Sequence, residues 1–163
     1  MEIKLARIDD RLIHGQVATV WAKEAGAQRI IVVSKEVNED EIRKTLVKQA
    51  APPGIKVNIV DVEKAIKVYQ NPKYKTETVF YLFTNPSEVV ALVKGGVPLK
   101  TINIGGMQFR NGKTQITKAI SVSQRDIEAF YELKELAVTL DCRVVATDPK
   151  IDFEGKLKEA VTN

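Results

Sequence analysis

The 163-residue chain has one cysteine, one histidine and one tryptophan, and aromatic residues make up only 6% of it. Cys142, between Asp141 and Arg143, has no second cysteine with which to close an internal disulfide, which suits a reducing cytoplasm. A single histidine and a single cysteine leave no cluster at metal-ligand spacing, so no metal is expected. There is no Gly-x-Gly-x-x-Gly and no Ser-His-acid pattern, and no cofactor is expected. The run from Gly106 to Gly112-Lys113-Thr114 misses a nucleotide-binding P-loop, because five residues separate its glycines where four are needed and a strand pattern follows where a helix should. No stretch of about 18 apolar residues occurs, so no membrane-spanning helix is expected. Met1-Glu2-Ile3-Lys4-Leu5 lacks a basic region and an apolar block, so no secretion signal is expected. The net charge is +4, with lysines scattered among glutamates and no basic run interleaved with aromatics. Nucleic acid is therefore not an expected partner, whereas an acidic partner or an anionic substrate suits the mild positive balance.

What the chain does have is regular alternation. At 44% hydrophobic residues it can bury one sizeable core, and 1–163 is expected to form a single domain. Apolar runs rich in Val and Ile predict strands at Ile3–Ile8, Arg29–Val33, Lys56–Val60, Val79–Phe83, Thr101–Ile104 and Cys142–Ala146. Helical spacing links Val17, Val20, Trp21 and Ala25, then Ile42, Leu46, Val47 and Ala50, then Ile127, Phe130, Tyr131, Lys134 and Leu136-Ala137. Asn85-Pro86-Ser87-Glu88 and Ser123-Gln124-Arg125-Asp126 read as helix starts, and Gly26, Pro52-Pro53-Gly54 and Gly95-Gly96 as stops. The sum is an α/β fold, an open and mainly parallel sheet with helices on both faces. Lys113–Val122 alternates polar and apolar residues and adds one antiparallel edge or hairpin strand. In such a sheet, ligands bind beyond the carboxyl ends of the strands.

Beyond the first strand the chain reads Arg7-Ile8-Asp9-Asp10-Arg11-Leu12-Ile13-His14-Gly15-Gln16-Val17. Neutral imidazole is a nucleophile near pH 7, and a phosphoryl group on its nitrogen stays transferable. Arg11 offers a guanidinium fork for phosphate oxygens, and a helix starting near Gly15 would bring its positive end. Asp9 or Asp10 could hold the second ring nitrogen or fix Arg11. From residue types alone, a histidine among Leu12, Ile13 and Gly15 is more often structural, the acids could be a cap or partners of Arg7, and Trp21 reads as core. Gly105-Gly106 is read either as bare backbone that could approach a phosphate or a neighbouring loop, or as a tight turn needing positive φ.

The same eleven residues, followed by Trp21, resemble the signature of the IIB components of the mannose–fructose–sorbose family of the bacterial sugar phosphotransferase system. Ile30-Ile31-Val32-Val33, Ala51-Pro52-Pro53-Gly54-Ile55-Lys56-Val57, Asn103-Ile104-Gly105-Gly106-Met107 and Gly112-Lys113-Thr114-Gln115-Ile116 resemble family segments in family order. The resemblance implies an open α/β sheet, phosphorylation of His14, Arg11 beside it, the acid pair at Asp9 and Asp10, and no metal. It implies a phosphocarrier that takes a phosphoryl group from a IIA phosphohistidine. The carrier passes it to a hexose or amino sugar entering through membrane IIC and IID components. The expected location is the cytoplasmic face of the membrane, the expected assembly a homodimer, and IIA a separate chain, as no room for a fused one exists here. Two places depart from the family pattern: Ala146-Thr147-Asp148-Pro149 and Ser34-Lys35-Glu36.

Two alternatives stand beside this. One is a regulatory phosphoprotein with no sugar downstream. The other is a receiver-like signalling domain using Asp9-Asp10, Asp61 and Thr84 with Mg²⁺. That arrangement also needs a lysine after the fifth strand, where this chain has Gly105-Gly106-Met107.

Overall fold

The computed structural model describes the backbone of residues 1–162, and the side chains of these except 16–19 and 162. In chain order the elements are β1 (Glu2–Asp9), α1 (Gly15–Ala25), β2 (Arg29–Val33), α2 (Lys35–Glu39), α3 (Glu41–Gln49), β3 (Lys56–Val60) and α4 (Val62–Gln70). After a 3-10 turn come β4 (Thr78–Phe83), α5 (Pro86–Lys94), β5 (Thr101–Gly106), β6 (Thr114–Gln115), β7 (Ser121–Val122), α6 (Gln124–Glu135), β8 (Thr139–Cys142) and α7 (Phe153–Thr162). Six strands form one sheet in the order β3-β2-β4-β1-β5-β8, and every pairing within it is parallel. The antiparallel element is a separate hairpin of β6 and β7, tied to the end of β5 by a bridge between Met107 and Ile120.

The strand β4 shows why helices cover both faces. Its side chains alternate, as pleating requires. Val79, Tyr81 and Phe83 join a core with Val89 and Leu92 of α5, Phe130 and Leu133 of α6 and Leu157 of α7. Phe80 and Leu82 join a second core with Trp21 and Ala22 of α1, Val37 of α2 and Val47 of α3. The helix starts read at Asn85 and Ser123 are both used, and Asp61 caps α4. Asn85 accepts from Glu88 N at 3.0 Å, and Asp61 accepts from Lys64 N at 2.8 Å. Ser123 and Asp126 form a reciprocal capping box.

Several expectations need correction. Ile42, Leu46 and Ala50 do not face the core: Ile42 is 78% and Leu46 60% exposed, and only Val47 turns inward. The reason is Asp40, whose extended backbone breaks one helix into α2 and α3 and whose side chain starts the second. On α1, Trp21 and Ala22 are buried while Val20 is exposed, and the Val17 side chain lies outside the described residues. On α6, Leu133 rather than Lys134 or Leu136 fills the core, and Lys134 reaches out to Glu154 at 2.7 Å. The last strand ends at Cys142, where Cys142 pairs with Ile104, so Arg143–Ala146 is loop and not strand. The helix α7, unanticipated from the sequence, buries Phe153 edge-on against Phe130, with ring centroids 5.0 Å apart.

Phe130 is fully buried and links α6, α7 and the sheet. Phe130→Ala is expected to lower unfolding free energy by about 3–5 kcal/mol. Urea titration followed by far-UV circular dichroism checks this, and a loss below about 1 kcal/mol would mean that α7 does not hold this contact.

Candidate active site

β1 lies inside the sheet, between β4 and β5, and ends at Asp9. The five residues from Asp10 to His14 then cross to α1. Two anchors shape this loop. Asp10 N donates to Gly106 O at 3.1 Å, and Leu12 N donates to Asp9 O at 2.9 Å, which closes a tight turn. Leu12 sits at φ 64, a left-handed conformation that costs a branched residue roughly 1–2 kcal/mol. Its burial together with Ile13 in the second core offsets that cost and points the next side chain outward. His14 is the N-cap residue of α1 but makes no side-chain cap bond, so its ring is not spent on the helix. The positive end of α1 adjoins it.

The ring is held by Asp9 instead. His14 Nε2 lies 3.2 Å from Asp9 Oδ2. The same carboxylate accepts from Arg11 N and Nε through Oδ1, at 3.2 and 3.1 Å, and from Arg11 Nη2 through Oδ2, at 3.2 Å. Arg7 Nη2 donates to Oδ2 from the sheet side, also at 3.2 Å. Asp9 and Arg7 are fully buried, while the side chains of His14 and Arg11 are 28% and 38% exposed. Burial alone would push the Asp9 carboxyl up. The hydrogen bonds from Arg11 and His14, with the charges of Arg7 and Arg11, outweigh burial and hold it below its ordinary range. An ionised carboxylate can only accept, so it is Nε2–H that His14 turns to Asp9, and Nδ1 is the ring nitrogen left outside that bond.

The two acids therefore have different jobs. Asp10 does not touch His14. Its Oδ2 accepts from Gln108 N at 2.8 Å, tying the loop after β5 to the loop after β1. Its Oδ1 is buried without a hydrogen-bond partner among the described residues. Burial pushes this carboxyl up, opposed by the Gln108 bond and the charge of Lys113.

The glycine pair is not a turn needing positive φ. Gly105 and Gly106 lie in β5 itself, and neither has positive φ. A Cβ on Gly105 would fall inside the Arg7 guanidinium, and one on Gly106 would lie 2.8 Å from Asp9 Oδ1. The glycines leave room for the buried ion pair. The residues that sequence reasoning passed over are Arg7 and what surrounds it: Asn103, Trp21 and the carbonyls of Arg143 and Val144. One signal was available, an arginine inside the apolar run Leu5-Ala6-Arg7-Ile8 of an interior strand.

The receiver-like arrangement is not assembled. Asp61 caps α4, and Thr84 Oγ1 accepts from Asn85 Nδ2 at 3.3 Å and lies 3.5 Å from Ser34 Oγ. What the geometry does bring together is an oriented imidazole, an arginine and a helix start at the carboxyl edge of a parallel sheet, the makings of a histidine-based group-transfer protein.

Comparison with known proteins agrees with that class. A sequence model of the family described as PTS system sorbose subfamily IIB component matches residues 3–163. The chain is 68% identical over 159 residues to the PTS system sorbose-specific EIIB component of Lacticaseibacillus casei, covering 98% of this chain and 97% of that one. It is 58% identical over 151 residues to the mannose-specific EIIAB component of Escherichia coli K12, covering 93% of this chain and 47% of that longer protein. The crystal structure of the IIBSor domain of the sorbose permease from Klebsiella pneumoniae superposes with a TM-score of 0.95, at 60% identity and 98% coverage of both chains. The chain belongs to the sorbose subfamily of phosphotransferase-system IIB components. It is a phosphocarrier subunit of a sugar phosphotransferase system, an enzyme that moves phosphoryl groups from IIA toward a sugar, with IIA and the membrane IIC and IID components as the partners of its family. Among the described residues, no helix is long and apolar enough to cross a membrane.

The opposite shifts of Asp9 and Asp10 predict opposite pH effects. Asp9 is lowered, so the stability it contributes is present above the ordinary carboxylate range and is lost as pH falls through its folded value. Asp10 is raised, so its contribution is full below that range and is lost as pH rises through its folded value. Asp9→Asn is expected to destabilise most at neutral pH, with the gap to wild type closing under acid. Asp10→Asn is expected to remove a loss that wild type suffers as pH rises from the acid side. Melting temperatures from pH 3 to 7 check both, and parallel curves for the two variants would refute the assignment.

Proposed function

We propose that His14 is the phosphoryl acceptor and carrier, that Nδ1 is the nitrogen that reacts, that Asp9 orients the ring and that Arg11 neutralises the transferring group. Asp10 acts on the site only through the loop it ties. The observation that carries this reading is the Asp9 carboxylate, which binds His14 Nε2 and the Arg11 guanidinium at once. In the step, the Nδ1 lone pair forms a bond to phosphorus as the bond from phosphorus to the donor imidazole of IIA breaks. The electron pair returns to the donor nitrogen, and the Nε2 proton stays with His14, shared with Asp9. Both ends are phosphohistidines, so the step is close to isoenergetic and catalysis is a matter of placement and charge neutralisation. The Nη1 side of the half-exposed Arg11 supports a contact to a phosphoryl oxygen while its other edge stays on Asp9. In transfer to the sugar, a hydroxyl oxygen forms a bond to phosphorus as the Nδ1–phosphorus bond breaks, the electron pair returns to Nδ1, and the hydroxyl proton leaves to water.

Residues 1–163 act as one IIB domain that takes its phosphoryl group from a IIA phosphohistidine, and the protein works as a homodimer at the inner membrane face through IIC and IID. Sorbose is the sugar to test first, since the 68%-identical relative is named sorbose-specific.

Labelled phosphoenolpyruvate, the general phosphotransferase proteins and a sorbose-family IIA are expected to place acid-labile, base-stable label on His14. His14→Gln is expected to fold normally and take none. Label persisting in that variant would move the acceptor elsewhere. Arg11→Ala is expected to slow transfer about 10²–10³-fold while the half-saturating IIA concentration changes less than about threefold. A rate within about twofold of wild type would remove Arg11 from the chemistry.

A further inference from the structure

We propose that Arg7, buried beneath the site, is a positioning residue for phosphoryl transfer: it fixes the plane of the Asp9 carboxylate and thereby the tautomer and aim of His14. This rests on the reading of His14 as acceptor and adds to it a residue that never meets the phosphoryl group.

Arg7 is 1% exposed on an interior strand, and its guanidinium reaches three parts of the chain besides Asp9. Nη1 donates to Asn103 Oδ1 on β5 and to Arg143 O at 3.2 Å. Nη2 donates to Val144 O at 2.9 Å and to Asp9 Oδ2 at 3.2 Å. The Trp21 ring of α1 lies over it at 5.0 Å. Its acceptors are themselves aimed. Asn103 Nδ2 donates to the carbonyls of Asp141 and Arg143, which turns Oδ1 toward Arg7. Asp148 Oδ2 accepts from Val144 N and Val145 N, and Arg143 Nη1 donates to Ala146 O, so the loop that offers the two carbonyls is braced.

Two features of the sequence would be disadvantages if Arg7 served stability alone. A buried ion pair is often no more stabilising than apolar side chains of the same volume. The pair also requires glycine inside β5, at Gly105 and Gly106, where a strand normally gains from a side chain. What the arrangement yields is geometry. Asp9 Oδ2 receives Arg7, Arg11 and His14, each at 3.2 Å. Of these donors only Arg7 is fully enclosed, so it is the one whose direction does not change as Arg11 and His14 respond to an incoming phosphate. Held by Arg7, the carboxylate keeps its lone pair on Nε2–H, and the Nδ1 lone pair remains the one presented. Without that hold, the carboxylate is free to turn wholly into Arg11, and the ring is free to take its other tautomer.

The test uses full-length Arg7→Lys, Arg7→Met and Gly105→Ala, with phosphorylated IIA as donor. Gly105→Ala leaves the Arg7 side chain in the protein but displaces its guanidinium. Single-turnover transfer gives the maximal rate and the half-saturating IIA concentration, and ¹⁵N NMR of His14 gives its tautomer. The expected result is a maximal rate down tenfold or more in all three, half-saturation within twofold of wild type, and loss of the Nε2–H tautomer as the dominant form. Arg7→Lys, which keeps the charge without the fork, should recover melting temperature more than rate. A lower melting temperature with wild-type rate and tautomer in any variant that folds would overturn the proposal and leave Arg7 a structural residue. Should these variants not fold, Asn103→Ala, which removes one acceptor of Arg7 and leaves the ion pair, must show a severalfold lower rate with the same tautomer change, and a wild-type result there overturns it equally. Wild-type protein without label on His14 in the same assay would overturn the underlying reading as well. Label on His14 with unaffected Arg7 variants would overturn this proposal alone.

Discussion

The site depends on one buried charge. Asp9 sits at the end of an interior parallel strand, fully enclosed, and keeps its negative charge only because donors surround it. Burying a carboxylate without such donors costs several kcal/mol, and removing one member of a buried pair typically costs 3–5 kcal/mol. Much of the neighbouring sequence follows from that requirement. Arg7 must lie within reach on the same strand, Gly105 and Gly106 must lack side chains, and Asn103 with two loop carbonyls must satisfy the rest of the arginine.

The parallel sheet supplies the frame in which this charge is useful. β1 is flanked by β4 and β5, so its carboxyl end cannot drift, and the chain leaves it through a turn whose apolar residues are the anchors. Leu12 and Ile13 go down into the core beside Trp21, and His14 is left at the mouth with its side chain partly exposed. Strain at Leu12 and burial of Leu12 belong to one device, since the left-handed residue reverses the chain and its side chain holds the reversal in place. Asp10 fastens the other side, joining this turn to the loop that leads into the β6–β7 hairpin.

Local signals were read where local physics decides. Asn85, Asp61 and Ser123 cap their helices because a short polar side chain before a helical segment has a free N–H three residues on, whatever lies elsewhere. The continuous Val and Ile runs became interior strands for the same kind of reason. Helix faces were read less well, since which side of α3 is buried depends on the break at Asp40 and on what α2 already covers. The displaced end of β8 is similar. Val144-Val145-Ala146 looks like strand, but the Val144 carbonyl serves Arg7 and Trp21 and not a neighbouring strand.

The sequence by itself determined the class of fold and the helix starts, because patterning and capping depend on residue type and short spacing, and its eleven-residue signature marked Asp9, Asp10, Arg11 and His14 as candidates. Only the tertiary structure decided which acid holds the histidine, what the two glycines make room for and why an arginine is buried in β1. Those answers lie in contacts between residues about 100 positions apart, such as Arg7 with Asn103 and Asp10 with Gln108. A charge buried at a strand end is stabilised by whatever the fold brings around it, and no local pattern specifies that.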